Sequence, residues 1–191
     1  MDQHDYLKRL DSSFYKGHAW VHWTQTMDYR KTGWLTPTFL YRFREILAHT
    51  CFRFDLACFI YCLMPDHLHM LWHGLTATSD QLRAIAFFRK ASNESLRRIG
   101  FQWQNQAHDR VLREEEFETN ELQNLGEYIA RNPERSGLVP VDGYASYKYS
   151  GCLLPGYPEL RLFERDSWTR VWRAMYYLKK TSVFVEKDEV S

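Results

Sequence analysis

The chain has 191 residues, a formal net charge of +1, seven Trp, twelve Tyr and twelve Phe. That length suits one compact domain with a substantial core, and the near-zero charge excludes a global field for polyanions, so any nucleic-acid surface must be built locally. Cys51, Cys58, Cys62 and Cys152 show no CxxC spacing, the start lacks a leader-like pattern and no apolar run reaches membrane-spanning length. These features read as reduced thiols in a cytoplasmic protein with no membrane partner.

Ala19 to Met27 is rich in aromatic and β-branched residues and predicts a first strand. Asp28-Tyr-Arg-Lys-Thr-Gly33 breaks it. Thr36 then reads as an N-cap with Pro37 at the first helical position. Phe39, Phe43, Ile46 and Leu47 follow at helical spacing, so a helix is expected over residues 37 to 49. The apolar run from Phe52 to Leu63 reads as a buried central strand. Met64-Pro65-Asp66 is so short a connection that it can join only antiparallel neighbours. Phe52–Leu63 and His67–His73 should therefore form a hairpin at the middle of the sheet.

Thr78-Ser79-Asp80 caps a predicted helix reaching about Ile99, with Leu82, Ile85, Ser92, Leu96 and Ile99 along one side. Arg83, Lys90 and Arg97 recur every seven residues on another face, beside Arg98, as a solvated surface or a stripe for a nucleic-acid backbone. Phe101 to Asn105 alternates and predicts a further strand continuing irregularly to Arg113. Asn120 then caps a helix carrying Leu122, Leu125 and Ile129, which ends near Asn132 because Pro133 disfavours a helical residue before it. Gly143 to Pro158 reads as mostly loop, pinned to the body by Tyr144, Tyr147 and Tyr149. A last amphipathic helix fits Ser167 to Lys180. Trp168, Val171, Trp172, Met175 and Leu178 make its apolar face, and Arg170, Arg173, Lys179 and Lys180 its basic one. The order of elements predicts an α+β architecture, helices on a central antiparallel sheet.

Chemistry concentrates in two places. On a strand, His67 and His69 point one way while Leu68, Met70 and Trp72 point the other, so two imidazoles can converge on one divalent ion. On the predicted helix from Glu121, Tyr128 and Asn132 lie four apart on one face. A phenol at such a place is commonly a packing residue with a wet hydroxyl, but it can also attack a phosphodiester and hold the product as an ester. It is mostly protonated at neutral pH and needs assistance, which an ion held by the histidines and the Asn132 amide oxygen would supply.

Two segments, Leu63-Met-Pro-Asp-His-Leu-His-Met-Leu-Trp72 and Glu127-Tyr-Ile-Ala-Arg-Asn-Pro-Glu-Arg-Ser-Gly-Leu-Val139, resemble the signature motifs of the REP-associated tyrosine transposases. These are HUH single-strand nucleases of the single-tyrosine transposase superfamily. The resemblance runs from about Trp20 to Tyr149 and implies a ferredoxin-like HUH nuclease fold over residues 1–140, with 141–191 as a C-terminal extension packed on the core. It implies His67 and His69 as a metal pair, Asn132 as third ligand and Tyr128 as nucleophile. The activity implied is cleavage of single-stranded DNA near hairpins through a 5′-phosphotyrosine, with Mg²⁺ or Mn²⁺, no nucleotide cofactor, and a monomer or homodimer as the working form. Mixed nitrogen and oxygen ligands make Mn²⁺ at least competitive with the harder Mg²⁺. Arg30 and Lys31 stand in the segment that loosely resembles the hairpin-recognising part of REP-linked members, and Arg110 stands where many relatives carry a second histidine. Arg30, Lys31, Arg83, Lys90, Arg97, Arg131 and Arg135 make the DNA-binding expectation, and Arg170, Arg173, Lys179 and Lys180 are a further basic set for DNA.

Other readings remain open on sequence. A replication-initiator or mobilisation nickase is opposed by Asn132-Pro133 after the tyrosine and by the lack of an ATPase region; a hairpin-binding protein without catalysis would keep the motifs for another reason. A zinc hydrolase would need a general-base carboxylate at a recognisable spacing from the histidines. Extended chain puts His73 about 20 Å from His67, too far to share an ion, so it is expected at the surface or facing DNA. His22 and His108 are expected as local hydrogen-bonders, and Trp23, Trp72 and Trp103 as core residues in preference to base-stacking platforms.

Overall fold

A computed structural model of the chain describes residues 9–112, 121–155, 169–174 and 176–177. Its centre is an antiparallel sheet in the order β4-β1-β3-β2-β5. The strands are β1 (Trp20–Thr26), β2 (Leu56–Leu63), β3 (His67–Gly74), β4 (His108–Leu112) and β5 (Ser150–Leu153). Helix α1 (Pro37–Arg53) joins β1 to β2, and α2 (Gln81–Arg97) joins β3 to β4. This β-α-β-β-α-β succession is the ferredoxin-like arrangement expected from the sequence, with β5 added beside β2.

Strand alternation divides the core in two. Val21, Trp23, Leu68, Met70 and Trp72 face α1 and α2, packing with Phe43, Leu47, Ile85, Phe88 and Leu96. Trp20, Leu71, Phe59 and Cys62 face the other way, onto a cluster with Leu122, Leu125 and Ile129 of α3 (Glu121–Ala130) and with Val171. A register shift between Cys58 and Ile60 marks a β-bulge in β2, and both Phe59 and Ile60 thereby reach the second cluster.

The hairpin β2–β3 lies where the sequence places it, but β2 starts at Leu56 and not at Phe52. Helix α1 continues to Arg53: Cys51 is buried and Phe52 is 86% exposed, so the helical period outlasts an aromatic run that imitates a strand. Asp55, at φ 51°, turns the chain into β2. The caps follow the sequence, with Thr36 accepting from the Phe39 amide at 3.1 Å and Asp80 from the Arg83 amide at 3.0 Å. Ile99 lies beyond α2 and is exposed, while Ala84 and Phe88 join its buried face.

Phe101 to Asn105 is not a strand; a single bridge links Trp103 to Met27. Side chains of α2 take up its polar groups instead. Asn93 accepts from the Trp103 amide at 2.9 Å, Ser92 from the Trp103 indole at 2.9 Å, and Arg89 donates to the Gln104 carbonyl. The stretch read as mostly loop contains β5, preceded by the Tyr147 hydroxyl on Leu63 at 2.8 Å and the Tyr149 hydroxyl on Leu35 at 3.3 Å. The last helix is present at 169–174, with Val171 and Ala174 buried but Trp172 44% exposed, against the expectation that Trp172 faces the core. Arg113, Asn120, Trp168, Met175, Leu178, Lys179 and Lys180 lie outside the described residues. No helix among the described residues is long and apolar enough to cross a membrane.

Candidate active site

Because β3 alternates, His67 and His69 share the face that α3 covers. Their Nε2 atoms stand 3.0 Å apart with the rings nearly perpendicular. The Nδ1 atoms point away to different partners. Asp66 accepts from His67 Nδ1 at 2.6 Å, and His69 Nδ1 lies 3.0 Å from His22 Nε2 and 3.2 Å from the Thr24 hydroxyl, both on β1. Burial first, with the His22 and His67 rings adding to it, pushes the His69 pKa down to about 3, against a weaker opposing pull from Asp66. Burial, with Arg110 nearby, pushes His22 to about 4. Both rings are therefore neutral at neutral pH and keep lone pairs to offer.

Such a pair fits a divalent ion. Two nitrogens each about 2.1 Å from one ion and set at a right angle lie about 3.0 Å apart, which is the separation found. Among the described residues no three His, Cys, Asp or Glu side chains gather as a ligand set. A further protein donor would have to be of another type, and an amide oxygen is one.

Tyr128, carried by α3, comes to this same face of the sheet. The Tyr128 ring meets His69 edge-on with centroids 6.3 Å apart, and Tyr128 is 42% exposed. Where the sequence predicts one helix to Asn132, α3 ends at Ala130 and a short α4 (Asn132–Arg135) follows around Pro133. Asn132 is buried, and its Nδ2 donates to the carbonyls of Tyr128 at 3.0 Å and Ile129 at 3.2 Å. That leaves its amide oxygen as the remaining acceptor.

The expected DNA-binding cations fall into distinct situations. Arg135 places its guanidinium carbon 4.5 Å from the Tyr128 ring centroid. Arg131 instead pairs with Glu134 at 3.0 Å and Asp142 at 3.1 Å and lies over Tyr144. Arg30 donates to Asp66 at 2.8 Å. Lys31 and Arg97 line one shallow cleft of about 190 Å³ with Asp28, Gly100, Phe101 and Gln102. Arg83 and Lys90 are exposed on α2, on the opposite side of the sheet from Tyr128, and Arg83 lies about 21 Å along the helix from Arg97. Arg170 and Arg173 are exposed on the last helix.

His73 corrects an expectation: it is 1% exposed, stacked on Trp20 at 4.2 Å and beside Phe59, not at the surface. Trp23, Trp72 and Trp103 are buried core residues as expected, and His22 is a local hydrogen-bonder while His108 is exposed. Asp66 and Thr24 were missed as partners of the histidine pair. Asp66 carried a signal, since a carboxylate directly before a metal-type histidine is within reach of its ring. Thr24 carried none, because its place opposite His69 depends on the β1–β3 register.

No family model matches the chain, and no curated protein matches it. A crystal structure of a Deinococcus radiodurans R1 protein assigned as a transposase is similar at 16% identity, over 68% of this chain and 97% of that one, with a TM-score of 0.42. The structure of the REP-associated tyrosine transposase bound to a REP hairpin is similar at 18% identity, over 76% of this chain and 81% of that one, with a TM-score of 0.60. At that identity the likeness speaks for architecture: the chain has the fold of the REP-associated tyrosine transposase, the fold that its two motifs imply.

Proposed function

We propose that this chain cuts and rejoins single-stranded DNA beside a hairpin, using Tyr128 as nucleophile and a divalent cation, Mg²⁺ or Mn²⁺, held by His67, His69 and Asn132. The observation that carries the reading is the Tyr128 ring against His69, whose Nε2 stands 3.0 Å from that of His67. Tyr128 Oη would add to phosphorus as the bond to the 3′ oxygen breaks. The electron pair leaves on that oxygen and the phenol proton passes through solvent to it, so a 5′-phosphotyrosine and a free 3′-hydroxyl result. Running the step backwards onto another 3′-hydroxyl rejoins a strand. A bound cation would supply Lewis-acid stabilisation of charge on the phosphate oxygens. The hairpin in the neighbour with the same fold supports hairpin DNA as the partner.

The test incubates the protein with hairpin-bearing single-stranded oligonucleotides and Mn²⁺ or Mg²⁺ and looks for a protein–DNA adduct that survives denaturation. An adduct is expected from the wild type and none from Tyr128→Phe; an adduct that persists in the variant overturns the assignment. His67→Ala should abolish the adduct and spare DNA binding, because it removes a ligand and not a DNA contact. Hairpin binding without any adduct would mark a binding protein instead.

A further inference from the structure

The turn before β3 is clasped by the segment between β1 and α1. The Met27 amide donates to the Asp66 carbonyl at 2.8 Å and the Trp34 indole to the Pro65 carbonyl at 2.6 Å. Within that segment Tyr29 and Arg30 both have positive φ, 52° and 50°. Two successive left-handed residues other than glycine are costly, and such backbone persists only where its surroundings enforce it. One result is the Arg30 guanidinium on Asp66 Oδ2 at 2.8 Å. The other oxygen of Asp66 faces His67 Nδ1 at 2.6 Å. The two oxygens of Asp66 are thus divided between the Arg30 guanidinium and the His67 ring.

An ionised carboxylate only accepts, so the His67 proton must sit on Nδ1. Nε2 is then a lone pair aimed at His69 Nε2. Without that acceptor the imidazole is free to carry its proton on Nε2, where it would block a metal ion. We infer that Arg30 and Asp66 are positioning residues for the histidine pair: Arg30 holds Asp66, Asp66 holds the His67 proton on Nδ1, and the Tyr29–Arg30 step ties ion affinity to the exposed segment between β1 and α1. Arg30 is thus committed to the histidine pair and is not simply a free cation for DNA. The inference rests on the metal reading of the pair.

The test measures Mn²⁺ affinity of the full chain without DNA, by electron paramagnetic resonance, and the His67 tautomer in metal-free protein, by ¹⁵N NMR. Asp66→Ala should weaken Mn²⁺ binding about ten- to a hundredfold and let the His67 proton move to Nε2. Asp66→Asn, which keeps an acceptor, should recover part of both. Arg30→Gln acts at an exposed ion pair and should weaken binding only about two- to fivefold. Because Arg30 acts through Asp66, adding Arg30→Gln to Asp66→Ala should weaken binding no further. Wild-type-like affinity in Asp66→Ala with the proton still on Nδ1 overturns the inference, and additive effects overturn the part given to Arg30. A wild type that binds no Mn²⁺ overturns the metal reading, while the tautomer still decides whether Asp66 holds His67.

Discussion

Arg131 and Arg135 lie one helical turn apart in the same motif, yet their surroundings set them to different work. Arg131 is tied to Glu134, Asp142 and Tyr144, whereas Arg135 stacks on the Tyr128 ring and makes no ion pair among the described residues. Arg135→Ala should therefore slow adduct formation with little change in melting temperature. Loss of an exposed cation–π contact of about 0.5–1 kcal/mol corresponds to about two- to fivefold in rate, and a larger drop would show that Arg135 also touches the phosphate. The cysteines yield a second prediction. Burial pushes the Cys51 thiol up to about 12, and Cys62 and Cys152 up to about 11, against an ordinary value of 9.0. These folded values lie above the unfolded one, so above about pH 9 the unfolded chain releases protons that the native chain keeps, and stability falls as pH rises. The unfolding free energy from urea titrations should be flat from pH 7 to 8.5 and then drop by up to about 1.4 kcal/mol per pH unit for each thiol, with Cys152, partly exposed, giving least. A flat profile to pH 10.5 would show that the thiols are not buried as described.

Among the elements, those whose boundaries rest on local chemistry were legible, and those that depend on distant pairing were not. Thr36-Pro37 and Asp80 begin α1 and α2 because a cap needs only the next three amides. The alternation that places His67 and His69 together is also local, whereas the helix that carries Tyr128 ends at Ala130 and Asn132 opens α4. By contrast β5 is short, contains Gly151 and exists because β2 offers an edge far away in sequence. His73 was misplaced for a related reason: whether a face of β3 is covered depends on Trp20 and Phe59, not on its own neighbours. Gly74, which ends β3, carries the same lesson. A Cβ there would lie 1.8 Å from the Gly17 carbonyl oxygen, so backbone must move to admit it. Gly74→Ala should cost on the order of 1–3 kcal/mol in a urea titration, and a loss under 0.5 kcal/mol would mean that the β3 end is looser than this packing.

At the scale of the molecule, the sheet separates two kinds of work. One face packs on α1 and α2 over a mainly apolar core, while the other holds the histidine pair, α3 and the last helix together with its own cluster of apolar side chains. The rigid layer fixes the β1–β3 register that sets His22, Thr24 and His69 together, and the second layer brings Tyr128 to them. The last helix belongs to that second layer through Val171, although the Trp-rich pattern pointed Trp172 inward. This orientation can be tested without reference to DNA. Val171→Ala removes a fully buried branched side chain and should cost about 1.5–3 kcal/mol of unfolding free energy. Trp172→Ala, at a larger but exposed residue, should stay within about 0.5 kcal/mol of the wild type. The opposite order would turn the helix over. If the helix only closes the cluster around Leu71 and Leu125, adduct formation per folded molecule should be unchanged in Val171→Ala; a loss beyond the folded fraction would mean that the helix helps hold Tyr128 against His69.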